Sequence, residues 1–271
     1  MENIQERSEK CLERSCRPRT DPFLLESGEV HLWWASLHTE IQHLKYFYRI
    51  LSDQELEKAA CFYYQQDREY FMISRGILRV LLGRYLKKEP ECLLFTCHRF
   101  GKPCLDTTSG ILPLRFNLSH SPGLAVYALS GTREVGIDLE STGTDINIEE
   151  LAETFFNLRE INDIMRRPSN RRKESLLQYW AFKEAYLKAT GQGNSFPFKM
   201  VEISLSLNRP EVLLKTGSHH SKVSSCSMHR LDAPQGYVAA LAIEGQEGLI
   251  LKSYQWETSI PGFGGTVFIS H

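Results

Sequence analysis

Trp180–Gly191 reads WAFKEAYLKATG, and the organisation of the chain follows from it. Apolar and charged residues recur at spacings of three and four, which predicts one helix with a working face. On that reading Trp180, Lys183, Glu184 and Lys188 project from one side, and Gly191 ends the helix. Upstream, Val135–Glu140 reads VGIDLE. Its β-branched run predicts a strand, and Asp138 and Glu140, two apart, share one face of it. A strand therefore offers two carboxylates and a helix a third. Three carboxylates with lysine beside them suit a hard divalent cation, Mg²⁺ or Mn²⁺, holding a polyphosphate whose remaining charge falls to Lys and Arg. A Glu184–Lys188 pair at i,i+4 also fits a solvated helix face, so the weight rests on the motifs taken together.

Composition narrows the function classes. The chain has 271 residues, 42% hydrophobic and 24% charged, with a formal charge of −1. Such a balance gives no basic field that would make nucleic acid the default partner. The seven cysteines include no CxxC pair, so reduced thiols in a cytoplasmic protein are expected rather than a zinc or disulfide framework. Residues 1–28 are charged, broken by Pro18 and Pro22, and lack the apolar run of a signal peptide. They read as a flexible tail, and no membrane segment is expected.

The fold is expected to start at Glu29–Leu37, EVHLWWASL, a largely buried strand. Ser52 with Glu55 three residues later has the pattern of a capping box, opening a helix through about Ala60. Asp67–Leu86 keeps a helical apolar stripe with arginines outside it. Arg75 and Arg79, i,i+4 neighbours, can present two guanidinium forks to one anion. Lys102 lies in a Gly-Pro turn at a loop tip. Ser119 and His120 lie at the end of a short strand, Phe116–Ser121. A hydrolase reading of that pair fails, because adjacent residues of an extended chain face opposite ways and no GxSxG elbow is present. Past Glu140, Ile148–Phe156 and Leu158–Met165 read as helices. Arg166, Arg167, Arg171, Arg172 and Lys173 form a basic run before the helix that carries Glu184. The C-terminal third reads mainly as strands, with residues 258–271 a second tail and His219–Arg230 a polar stretch.

GKP at Gly101–Pro103, FNLSHS at Phe116–Ser121, GIDLE at Gly136–Glu140 and WAFKEAYLKATG at Trp180–Gly191, in this order, resemble the motif series of Sfp-type 4′-phosphopantetheinyl transferases. The likeness runs from about Val30 to Trp256. It implies an α+β fold of two similar halves related by pseudo-twofold symmetry, each a small mostly antiparallel sheet with a long helix packed on it. The N-terminal half is expected over 29–133 and the C-terminal half over 134–257. The implied reaction is Mg²⁺-dependent transfer of 4′-phosphopantetheine from coenzyme A to a serine of an apo acyl or peptidyl carrier protein, releasing adenosine 3′,5′-bisphosphate. Such carriers serve fatty-acid, polyketide or peptide synthesis. Carried over by residue, the resemblance implies Asp138, Glu140 and Glu184 as metal ligands, with Glu184 and Lys188 catalytic. Arg75, Arg79, Lys102, Ser119, His120, Lys183 and Lys188 are expected to contact the coenzyme. A monomer is expected. The competing class is a protein that binds coenzyme A or a nucleotide without transferring anything; a two-metal phosphodiesterase would need more His or Asp ligands.

Overall fold

The computed structural model describes residues 23–39, 41–97, 101–106, 114–193, 196–203, 214–216, 226–245, 248–257 and 268–270. The first half contains β1 (Glu29–Ser36), α1 (Ile41–Ile50), α2 (Asp53–Ala60), α3 (Gln65–Leu86), β2 (Phe95–Cys97), β3 (Pro103–Leu105), β4 (Arg115–Ser121) and β5 (Leu124–Ser130). The second half contains β6 (Val135–Ser141), α4 (Ile148–Phe155), α5 (Leu158–Met165), α6 (Ser169–Thr190), β7 (Val201–Ile203), β8 (Leu214–Thr216), β9 (Cys226–Leu231) and β10 (Tyr237–Glu244). Two further strands follow, β11 (Ile250–Trp256) and β12 (Phe268–Ser270).

Local chemistry accounts for the helix ends. Ser52 and Glu55 exchange both bonds of the capping box at α2, and Asn147 and Asn157 cap α4 and α5. Gly191, at φ +66°, closes α6 in the left-handed conformation, its N–H donating to Leu187.

The two halves each set helices against a small sheet. One sheet has the order β12-β11-β1-β5-β4, the other β6-β10-β9. Trp33, Phe47, Ile77, Leu78 and Tyr127 fill the core between α1, α3 and the larger sheet. Phe156, Leu176, Phe182, Ala185 and Ala240 do the same between α4, α6 and the smaller one. The other faces of the two sheets meet in a third core, where Leu32, Trp34 and Val126 pack with Ile137, Leu139 and Leu241. Both faces of β1 are therefore covered, which is why its sequence runs apolar rather than alternating.

Three boundaries differ from expectation. β11 lies parallel to β1, Trp33 opposite Tyr254, so 250–256 completes the first sheet instead of the second half. The free edge of β1 needs a partner for its backbone groups, and a returning strand supplies it. At the N-terminal side the body begins earlier than residue 29: Phe23 stacks on Trp33 at 5.2 Å, and Arg84 sits over both Phe23 and Trp256. At the C-terminal side β12 pairs with β11, so 268–270 is not loose. Residues 1–22 and 258–267 lie outside the described residues. The sequence reading also passed over α1 and placed β9 within a polar stretch.

Among the described residues, Cys61, Cys92, Cys97, Cys104 and Cys226 are free thiols. No described helix is long and apolar enough to cross a membrane.

Candidate active site

The site is built on the seam between β4 and β6, the facing edges of the two sheets. Asn117, Ser119 and Ser121 alternate along β4 and so share one side. Asn117 Oδ1 accepts the Ile137 N–H at 2.8 Å, and Ser121 Oγ accepts the Ser141 N–H at 2.9 Å. Between them Ser119 Oγ donates to Asp138 Oδ1 at 3.0 Å. Side chains of the FNLSHS stretch thus satisfy the edge of β6 and fix the position of Asp138. His120, next along the strand, is exposed, as the alternation requires.

Helix α6 crosses β6 at Gly136. A β-carbon there would stand 3.0 Å from Ala189 Cα and closer still to the Ala185 carbonyl oxygen. Glycine at this one position, with alanines opposite, brings helix and strand into backbone contact. Lys188, beside Ala189, consequently reaches Asp138 of β6, and Glu184, beside Ala185, comes near enough to feel its charge. Lys188 Nζ donates to Asp138 Oδ1 at 2.6 Å and to Ser119 Oγ and the Ile137 carbonyl, each at 3.2 Å.

The electrostatics show a shortage of positive charge. Asp138 is 3% exposed, and its Oδ2 is buried with no hydrogen-bond partner among the described residues. Burial, then the charge of Asp138, pushes the Glu140 carboxyl up to about 8, against the pull of Lys188. Burial and Asp138 raise Glu184 likewise. The charge of Asp138 hinders ionisation of both glutamates, which is how a cation site looks to its own ligands. Among the described residues no three Asp, Glu, His or Cys side chains are grouped closely enough to hold a metal ion as they stand; Lys188 is what meets Asp138 instead. Although its side chain reaches the surface, desolvation by the protein packed around it and then the charge of Lys188 lower the His120 pKa, with Lys58 adding to the effect and Asp67 opposing it.

Residues 34–132 match the family profile "4′-phosphopantetheinyl transferase, N-terminal", and residues 134–242 match the "4′-phosphopantetheinyl transferase superfamily". The 4′-phosphopantetheinyl transferase HetI of Nostoc sp. is 36% identical over 234 residues, 86% of this chain and 95% of the relative. The chain belongs to the 4′-phosphopantetheinyl transferase superfamily. A second relative, the 4′-phosphopantetheinyl transferase ffp of Bacillus subtilis, is 24% identical over 208 residues, 76% of this chain and 88% of that one. As a phosphopantetheinyl transferase, the protein moves the 4′-phosphopantetheinyl group from coenzyme A to carrier proteins.

The structure of this transferase puts Ser119, Asp138 and Lys188 in direct contact, with Glu140 and Glu184 near enough for the charge of Asp138 to act on them. It places other expected coenzyme contacts differently. Arg75 and Arg79 do not ride outside the α3 stripe. Both are buried and share Glu55, Arg75 Nε donating at 2.9 Å and Arg79 Nε at 2.7 Å. Arg79 also donates to the carbonyls of Pro90 and Leu93 and lies over the Phe95 ring. At 2% exposure it has no free face for a phosphate, so its role is to join α2, α3 and the segment that follows. Lys183 is corrected in the same way. It is fully buried, paired with Glu160 at 2.7 Å, and donates to Phe198 O. One residue along a helix is a turn of about 100°, so a side chain adjacent to Glu184 looks into the α5 side instead of the seam. Lys102 is held at the start of β6 by Glu134 at 2.8 Å and the Val135 carbonyl at 2.9 Å, not displayed at a loop tip. Lys58 of α2, whose charge is felt at His120 and whose ammonium lies over the Phe71 ring, carries no signal in the sequence that separates it from a solvated helix lysine.

Proposed function

We propose that Asp138, Glu140 and Glu184 hold Mg²⁺, or Mn²⁺ in its place, against the pyrophosphate of coenzyme A. The observation that carries this reading is the buried, unpartnered Oδ2 of Asp138 beside two carboxyls whose proton affinity is raised. An all-oxygen donor set short of positive charge fits a hard divalent ion. When bound, the ion supplies Lewis-acid stabilisation of the pyrophosphate oxygens.

The chain's own residues do the rest. Glu184 accepts the proton of the carrier serine as the serine oxygen bonds to the phosphorus that bears the pantetheine arm. The P–O bond to the second phosphate breaks, and adenosine 3′,5′-bisphosphate leaves. Lys188 faces the negative charge that develops on the departing phosphate. Ser119 orients Asp138, and His120 with Lys58 faces the coenzyme's phosphates from the N-terminal half. The setting is cytoplasmic and the working unit a monomer, since both sides of the seam come from one chain. Part of the basic run is engaged locally: Arg171 pairs with Glu174 at 2.8 Å, and Arg172 Nε donates to the Arg167 carbonyl. The remainder is a candidate surface for an acidic carrier.

The test is to incubate the protein with apo carrier protein, coenzyme A and Mg²⁺ and to read the phosphopantetheine adduct on the carrier by intact mass. Chelation of divalent ions should stop the reaction. Asp138→Asn should reduce it by several orders of magnitude with the melting temperature preserved; near-full turnover in that variant would refute the metal assignment.

A further inference from the structure

Asp138 carries two oxygens with opposite circumstances. Oδ2 has no partner among the described residues, while Oδ1 is claimed by Ser119 and by the 2.6 Å contact from Lys188. The ammonium also has two other holds, Ser119 Oγ and the Ile137 carbonyl, both longer. The Asp138 side chain is 5% exposed and that of Lys188 26%, so the lysine is the partner with room to move. Lys188 touches Asp138, and Glu140 and Glu184 lie near enough for its charge to act on both. With all three carboxyls ionised, one lysine leaves two negative charges uncompensated, whereas one lysine and a divalent ion balance them. Oδ2 is open to a divalent ion, and an ion that chelates Asp138 through both oxygens must displace Lys188 from Oδ1.

We infer that Lys188 is an exchangeable internal cation, which occupies Asp138 until a divalent ion takes its place and is then retained at the seam by Ser119 and Ile137. The inference rests on the reading that Asp138 is a metal ligand. It links two events. While Lys188 is paired with Asp138, its charge is neutralised and of little use to an incoming phosphate. Loading the divalent ion frees that charge for the substrate, so the ion prepares the site for coenzyme A beyond its own contribution.

The experiment is a Mn²⁺ titration of the full-length protein, followed by electron paramagnetic resonance, without coenzyme or carrier. Wild type is compared with Lys188→Met and with Lys188→Gln, the second variant keeping a polar side chain should the first not fold. Each variant should bind Mn²⁺ about 10- to 100-fold more tightly than wild type, the ratio expected when a charge-assisted contact no longer has to be broken. The advantage should persist at 1 M KCl, where the Debye length is about 3 Å, because competition for one atom is not screened as longer-range repulsion is. Equal or weaker binding in both variants overturns the inference, and so does an advantage that vanishes at 1 M KCl. Asp138→Asn separates this inference from the reading beneath it. If that variant binds Mn²⁺ as wild type does, the metal assignment fails. If it loses Mn²⁺ while the Lys188 variants match wild type, only the exchange fails.

Discussion

Replacing Gly136 by alanine tests the claim that a backbone contact sets the height of the catalytic helix. The residue is not in the left-handed region, so alanine carries no conformational penalty there and the effect is steric. Its β-carbon would lie 3.0 Å from Ala189 Cα and nearer to the Ala185 carbonyl, where carbon atoms prefer about 3.5–4.0 Å. Helix α6 must therefore retreat from β6 by about 1 Å, carrying Glu184 and Lys188 away from Asp138. Misplacement on that scale costs on the order of 10²-fold in rate. Over-packing of this kind costs about 1–3 kcal/mol, a fall in melting temperature of about 2–12 °C for a chain of this size. Transfer to apo carrier protein, followed by intact mass at limiting enzyme, gives the rate; thermal unfolding gives the stability. Gly248→Ala is the control, since nothing lies within 4 Å of its added carbon. If Gly136→Ala kept wild-type rate and melting temperature, the strand–helix contact would not be what positions the site.

Three further outcomes follow from burial and pairing. Lys183→Met should lower stability by about 3–5 kcal/mol, because it strands the buried Glu160 without its partner, yet leave the KM for coenzyme A unchanged; a raised KM with normal stability would return Lys183 to the coenzyme. Phe23→Ala should lower the melting temperature by several degrees, since the ring stacks on Trp33 and lies under Arg84; an unchanged value would show that the segment before Glu29 is dispensable. Burial raises the Glu29 carboxyl, but Lys252, the Glu26 N–H and His31 outweigh it and bring its pKa down to about 2. A carboxyl depressed on folding contributes stability above its ordinary value of 4.5, lost as pH falls toward 2. Glu29→Gln should therefore lose stability at pH 7 and show a shallower decline between pH 4.5 and 2 in thermal unfolding; an acid decline as steep as wild type would refute the assignment.

Local sequence determined the parts of this protein whose cause is local. Asp138 and Glu140 share a face because a strand has period two, and Glu184 and Lys188 share one because a helix brings i and i+4 together. The capping box at Ser52 and the stop at Gly191 are written in the residues that form them. The order of the four motifs was enough to indicate the family and the reaction.

What the tertiary structure decided were the destinations of side chains and strands whose partners lie far away in the chain. Arg75 and Arg79 have the spacing of a phosphate fork, but Glu55, 20 and 24 residues earlier, is close enough to take both. Lys183 sits beside Glu184 in sequence and looks the other way, because Glu160 and the Phe198 carbonyl close around it. Ile250–Trp256 alternates as any half-buried strand does, and nothing in it names β1 as its neighbour. A periodic pattern specifies which face of an element is apolar or charged. It does not specify what that face meets, because the choice is made by the free energy of covering an open edge or a buried charge from across the fold.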